Sequence, residues 1–587
     1  MIHPIKILLF SLFLLFNLYP QSIKNLEVSE NTDFTQSDIL GWSRISTGIK
    51  YYSGLLDSVK KNIAEELAGF GYMNPDFSGT EVSYSEDSSS VSINLNLQQG
   101  DPTIIKNIFF VMSDSLRIDQ INQAFDLLIG RIFNKYDIEE SIYNILSDLE
   151  NKGYPFGYFQ ITSVYLYDDS LGNEHFADLH IKFDEGNKST IDKIRISGNT
   201  STKDYVIIRE LRINPGEEYS QQRVEDFPKR LNKLRFFEPV AVPQFYLDKQ
   251  NNGVLLISVK EKNTNNFDGI IGYVPPANDK ESGYVTGLVN VTLRNIFGTG
   301  RAASVKWQKL TRESQELDLK YLEPWVFSYP FNINFGLFQR IQDSTYVQRK
   351  YGGAIEYLAT EDISASGSVL LEEVIPTVRT IPVFTVYNSS TLTTGLDLKI
   401  DLRDDPLSPT SGVLFLTGYS FSRKKIIGPE EYIPPTLETN INLQRITASF
   451  SIFYELFTRN VLAFSVNGKE LRGPFFEVSD LWKLGGTSSV RGYREEQFLA
   501  SRVAWTNLEY RLLLTRRSYA FLFFDSGYYL READPERGVQ KSEDVIFGYG
   551  LGITVETGIG LLGVSFALAN GDSFSDGKIH FGIINEF

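Results

Sequence analysis

The sequence contains no cysteine. That excludes a disulfide framework, thiol chemistry, a thiolate-held metal and a cysteine-linked lipid anchor. Histidine is nearly as scarce, with His3, His175, His180 and His580 the only four in 587 residues. His175 and His180 are close in sequence, but they fall in a polar loop and strand and read as surface residues. Beyond the N-terminus there is no run of 18 apolar residues, so a helical membrane span is excluded. Positive charge is in deficit. The formal charge of −16 argues against nucleic acid as a general partner, because phosphate binding needs a basic face. No G-x-S-x-G, H-E-x-x-H or P-loop spacing occurs. Asp404 and Asp405 cannot serve as an acid/base pair, since adjacent strand residues point to opposite faces. The sequence therefore predicts no enzyme, no catalytic residue, no metal site and no cofactor.

Aromatic residues are abundant, with 31 Tyr and 42 Phe, while Met numbers only three. The mean hydropathy of −0.17 is that of a soluble chain. A transmembrane β-barrel has the same average, because lipid-facing and lumen-facing residues alternate, and its interfaces carry aromatic girdles. Composition alone leaves a barrel and a soluble all-β protein equally open. Residues 1–22 predict a secretory signal peptide: Lys6 precedes the almost wholly apolar segment 7–18, with cleavage near Gln21 or Ser22. An uncleaved anchor is the alternative.

The remainder reads as two halves with a polar joint at residues 260–266. The first half predicts three repeated α+β units over residues 23–100, 101–187 and 188–263, each ordered β-α-α-β-β. In the third, a strand at 191–196 precedes Ser197-Gly198-Asn199-Thr200 and two helices. Closing strands are predicted to open at Phe236-Phe237-Glu238-Pro239-Val240 and to end at 253–259. In the second, strands at 105–111, 159–167 and 176–183 flank helices at 118–128 and 138–152. The first is fainter, with a helix at 55–68 and strands at 81–85 and 91–97. Residues 265–587 parse into about sixteen alternating segments, an even number as bacterial barrels require. Residues 561–568 place large side chains on one face and mostly small ones on the other. Residues 295–300 and 404–409 read as tight turns, and 423–438 as a long loop.

The three units resemble POTRA domains, through Gly71-Tyr72, Gly153-Tyr154 and the Ile-Ser-Gly-Asn-Thr segment of the third. Four segments of the second half resemble the BamA/TamA-like outer-membrane insertase superfamily. The first is Val490-Arg491-Gly492-Tyr493, similar to the tip motif of the family's sixth extracellular loop. The second is Phe523-Phe524-Asp525-Ser526-Gly527, similar to its F-x-D-x-G strand. The third runs from Asp401 through Arg403, Asp404, Pro406 and Pro409 to Gly412, and is similar to a periplasmic turn in which proline presets φ and glycine starts the next strand. The fourth is the closing strand with His580, Gly582 and a terminal Phe587, similar to the signal by which barrels are recognised for assembly. Asn585 departs from it, an apolar residue being usual there.

The resemblance implies a 16-stranded antiparallel transmembrane barrel in the bacterial outer membrane, with POTRA units in the periplasm. Three units match the layout of TamA more than that of BamA. In the family the loop tip folds into the lumen, so Arg491 is expected to meet Asp525, with Glu509 sharing the contact. A guanidinium suits that task because its fork holds carboxylates bidentately. The implied function is non-enzymatic assembly or translocation. Unfolded outer-membrane or secreted proteins are the clients, outer-membrane lipid the destination, and a periplasmic or inner-membrane subunit a possible accessory. The first strand, near 266–273, is expected to pair weakly with the last, near 578–587. A two-partner-secretion pore and a passive channel or receptor are the rival readings.

Overall fold

A computed structural model describes residues 22–29, 32–52, 54–86, 90–112, 118–169, 174–274, 282–309, 311, 313–342, 345–377, 386–535, 538–557 and 560–584. The predicted signal peptide lies outside the described residues, except for Ser22. The chain divides into two compact units. The first comprises Met1–Asp192 with Pro215–Val224 and Leu247–Gly253. The second comprises Lys193–Asn214, Glu225–Tyr246 and Val254–Phe587.

The first compact unit contains two three-stranded sheets. In one, Ser22–Ser29 runs parallel to Ser90–Asn96, which pairs antiparallel with Glu81–Tyr84. Its core joins Val59, Ile63 and Leu67, spaced by four on the helix Leu55–Gly69, to alternate residues Val91, Ile93 and Leu95 of the central strand. A preceding helix, Gln36–Ser43, supplies the first helix of the β-α-α-β-β order, at a place the residue pattern did not mark. It starts at a capping box in which Thr35 and Asp38 bond reciprocally. In the other sheet, Thr103–Met112 runs parallel to His175–Asp184, which pairs antiparallel with Tyr158–Asp168. Helices Ile118–Asp126 and Lys135–Asn151 supply Ile121, Phe125, Ile138 and Leu149 to its core.

In the second compact unit, Lys193–Ser197 pairs in parallel with residues 254–258, and helix Asp204–Leu211, the helical residues 225–234 and the strand residues 244–246 lie between them in sequence. The strand expected to open at Phe236 is reduced to one antiparallel bridge, Phe237 to Glu261. Pro239 and Pro243 remove ladder donors, so the longer strand starts at Gln244, while Phe236 and Phe237 are buried as core residues.

A 16-stranded antiparallel sheet follows. Its strands are β1 (Asn266–Val274), β2 (Tyr284–Ile296), β3 (Arg301–Lys309), β4 (Gln315–Glu323), β5 (Phe331–Gln342) and β6 (Tyr346–Leu358). Next come β7 (Ile363–Pro376), β8 (Asn388–Asp401), β9 (Gly412–Gly428), β10 (Asn440–Phe457) and β11 (Asn460–Arg472). The last five are β12 (Arg502–Leu513), β13 (Tyr519–Arg531), β14 (Ser542–Thr557), β15 (Gly560–Ala569) and β16 (Lys578–Ile584). Each strand pairs with its neighbour in sequence. Among the described residues no ladder joins β1 to β16. The loop expected at 423–438 is shorter than predicted, because β9 continues to Gly428 with Ser422, Lys424 and Ile426 buried on its inner side.

The two faces of the sheet differ as a membrane demands. On β14, Val545, Phe547, Tyr549, Leu551 and Ile553 are exposed on the outer side. Ile546, Gly548, Gly550, Gly552 and Thr554 alternate with them on the inner side. Such a continuous exposed apolar face has no place in water. Among the described residues, the inner side encloses the connection of residues 473–501 between β11 and β12. This connection contacts Arg340 on β5, Lys424 on β9, Asp525 on β13 and His580 on β16. One loop reaches all four strands only because the sheet curls around it as a barrel.

Candidate functional site

The loop is built to hold its tip in one place. Its two short strands, Trp482–Leu484 and Phe498–Ala500, pair antiparallel and bring the intervening residues back toward their start. Gly485 and Gly486 adopt left-handed φ of 108° and 95°, and the Gly485 amide donates to Ser489 Oγ. These turns project Val490, Arg491, Gly492 and Tyr493 against the wall. Val490 is fully buried, and the Tyr493 hydroxyl donates to the Phe547 carbonyl at 3.2 Å.

Arg491 is 7% exposed and Asp525 not at all. The guanidinium donates from Nε to Asp525 Oδ2 and from Nη2 to Oδ1, both at 2.8 Å, a bidentate pair. Its backbone N–H also donates to Oδ2 at 3.0 Å. Its other terminal nitrogen, Nη1, donates to Glu509 Oε1 at 2.7 Å. Glu509 is held from its other side by Arg511, and Asn507 donates to both Asp525 and the Ser489 carbonyl. Two cations and two carboxylates thus close a neutral cluster, which is how buried charge is made tolerable. The Phe523 ring lies under the guanidinium at 3.7 Å, so the aromatic of the motif adds a cation–π face.

Glycines pave the wall where the loop passes. A side chain at Gly548 would collide with the Arg491 carbonyl, and one at Gly527 would approach Val490 Cγ2 to 2.7 Å. Gly492, at φ 96°, leaves no room for a Cβ against the β15 backbone at Leu568 and Ala569. The sequence reading did not single out Gly548. Its signal is the alternation Gly548, Gly550, Gly552 on one face of β14.

A second buried charge group fixes the loop's base. Lys424 on β9, fully buried, lies 2.6 Å from both Glu477 and Asp480. The Tyr387 amide donates to Glu477 at 2.7 Å. None of these residues carries a recognisable motif, so the group was invisible in sequence.

The turn at 401–412 is separate from the loop tip. Arg403 grips Asp401 bidentately at 2.8 and 2.9 Å and donates to the Pro406 carbonyl. Asp404 accepts from Thr410 and Ser411, and Gly412 opens β9 at φ 103°. Asp405 instead accepts from Arg517 in the connection between β12 and β13. On β16 the two residues singled out, His580 and Gly582, face the loop. His580 Nε2 accepts from the Gly492 amide at 3.1 Å. Phe587 and Asn585 lie outside the described residues.

Beside the barrel, the third α+β unit is fastened to its near rim. Arg212 donates to the Leu358 and Ala359 carbonyls, Arg230 meets Glu361 at 3.0 Å, and Lys233 meets Asp362 at 2.5 Å. Glu261, at the entry to the barrel, accepts from the Ser201 and Thr202 amides and the Thr200 hydroxyl. Burial acts to raise its pKa, but these donors outweigh it and hold the carboxyl at about 2.

Comparison with known proteins places this architecture. Residues 295–587 match the model of the Omp85 superfamily domain, and residues 189–262 that of the surface antigen variable number repeat, POTRA. The two segments together take in more than half of the chain. An outer membrane protein assembly factor BamA of Nitratidesulfovibrio vulgaris is 22% identical over 529 residues, covering 84% of this chain and 62% of that protein. The BamA of Neorickettsia risticii is 29% identical over 261 residues, covering 44% and 33%. The chain therefore spans less than two thirds of these relatives. The crystal structure of BamA from Haemophilus ducreyi lacking POTRA domains 1–3 aligns at a TM-score of 0.49 and 16% identity, covering 81% of this chain and 98% of that one. These relatives are BamA proteins, whereas the three-unit layout pointed toward TamA. With POTRA units leading into a sixteen-stranded barrel and both family models matched, this chain belongs to the Omp85 superfamily, the BamA/TamA-like group that its motifs resemble.

Proposed function

We propose that this protein is a non-enzymatic assembly factor of the bacterial outer membrane. Its POTRA units, over residues 23–100, 101–187 and 188–263, extend into the periplasm, and its barrel, residues 265–587, stands in the lipid. Clients are unfolded outer-membrane or secreted proteins, delivered with or without an accessory periplasmic or inner-membrane subunit. The observation that carries this reading is the seam. Among the described residues β1 and β16 share no ladder, while every other neighbouring pair does. Unpaired strand edges are templates for added strands, so a client strand can pair at the seam and pass sideways into lipid. Burial of the client's apolar face supplies the driving force, which suits a compartment without ATP.

The POTRA units offer the same chemistry at lower commitment. Tyr158–Asp168 is an edge strand with exposed Tyr165 and Leu166, a surface on which an extended client can be held before insertion. The loop-tip cluster of Arg491, Asp525 and Glu509 then fixes the lumen's contents while the seam works. The secretion-pore reading has less behind it, because the curated relatives reported above are named as assembly factors.

The test is an engineered disulfide with one cysteine in β1 and one in β16. The native chain has no cysteine to interfere. Crosslinking is expected to abolish client assembly, and reduction to restore it. Full assembly through a demonstrably crosslinked seam would reject lateral insertion.

A further inference from the structure

The last strand of the barrel has one hydrogen-bonded neighbour among the described residues, β15. A strand held from one side is ordinarily where a sheet opens first. Here a second contact reaches it from inside the lumen. His580 is 7% exposed, and its Nε2 accepts the Gly492 amide at 3.1 Å. Its Nδ1 lies 3.5 Å from Thr487 Oγ1 and 3.9 Å from a Glu495 carboxylate oxygen. Glu495 in turn accepts from the Thr487 amide and hydroxyl, both at 2.6 Å. One inner position further along β16, a Cβ on Gly582 would stand 3.1 Å from Thr487 Cγ2, so this part of the strand also lies against the loop.

Two consecutive amides of the tip therefore reach two different strands. The Arg491 N–H donates to Asp525 on β13, and the Gly492 N–H donates to His580 on β16. An imidazole nitrogen can accept only while it is unprotonated, so the bond fixes the ring's tautomer with its proton on Nδ1, toward Thr487 and Glu495.

We propose that His580 is a positioning residue that couples the Val490–Tyr493 tip to the seam-side strand. When β16 moves outward the tip loses one of its two backbone anchors, and while the tip is seated β16 is held against the loop. The inference rests on the reading of the β1–β16 edge as the working seam.

Hydrogen–deuterium exchange on the full chain in lipid bilayers tests the coupling. His580→Phe keeps a ring and removes the acceptor. In that variant the amides of β16 and of Gly492 are expected to exchange roughly fivefold faster, the effect of losing one hydrogen bond. The Arg491 amide, held by Asp525, should keep its protection. His580→Gln carries an acceptor at similar reach and should restore near-native protection. His580→Asn is too short to reach and should behave as the phenylalanine variant does, and it stands in for that variant if the ring fails to fold. Unchanged β16 exchange in the phenylalanine and asparagine variants overturns the proposal, as does a glutamine variant as labile as they are. The readout involves no client. A chain that shows this exchange pattern but assembles nothing would retract the proposed function and leave the coupling standing.

Discussion

Arg491 makes four hydrogen bonds to two carboxylates across the lumen, and its loss would leave Asp525 buried without a cation. Breaking one side of such a pair costs about 3–5 kcal/mol, more than a surface ion pair ever supplies. Arg491→Ala is expected to make the loop protease-sensitive and to lower assembly activity, while the barrel still reaches the membrane. Arg491→Lys should rescue poorly, because a single ammonium cannot fill the Asp525 fork and reach Glu509 together. The double change Arg491→Ala with Asp525→Ala should cost less than the two single losses summed, since it leaves neither charge stranded. Simple additivity in that cycle would mean that the two residues act independently.

At the scale of elements, the turn at 200–202 in the third POTRA unit depends on one carboxylate. Glu261 collects three donors from it. Its pKa in the folded chain, about 2, lies below the ordinary carboxylate value, so its contribution to stability is fully present above the unfolded pKa. That contribution is lost as pH falls from about 4.5 toward 2. Protection of the Ser201 and Thr202 amides, corrected for intrinsic exchange, should therefore fall over that range in the native chain. Glu261→Ala should show roughly tenfold lower protection at pH 6 and little further change on acidification. Native-like protection in the alanine variant at pH 6 would remove the carboxylate from this role.

For the whole molecule, sixteen strands each paired with their sequence neighbours satisfy most backbone groups internally, which is why barrels resist detergent. The chain should migrate anomalously on SDS gels until heated, and residues 265–587 refolded in detergent should give a β-rich circular dichroism spectrum. A helical spectrum for that fragment, or migration indifferent to heating, would contradict the barrel. Among the described residues no helix is long and apolar enough to cross a membrane.

The division between sequence and tertiary structure follows from range. The large/small alternation at 561–568, in β15, and the helix expected at 55–68 are local patterns, and each was legible because side-chain direction follows directly from backbone geometry. Val490-Arg491-Gly492-Tyr493 and the Asp525 motif were legible as words, and the expected meeting of Arg491 with Asp525 and Glu509 came from the resemblance. The strand expected over Phe236–Val240 is cut to a bridge at Phe237, because Pro239 and Pro243 cannot donate to a ladder. Other features required the sheet to curl around the loop. Lys424 lies 53 residues before Glu477 in the sequence, and Gly492 lies 88 before His580, yet both pairs meet. Neither pairing has a local signature, because strand register and the curvature of sixteen strands, not neighbouring sequence, decide which inner-face residues a single loop can reach.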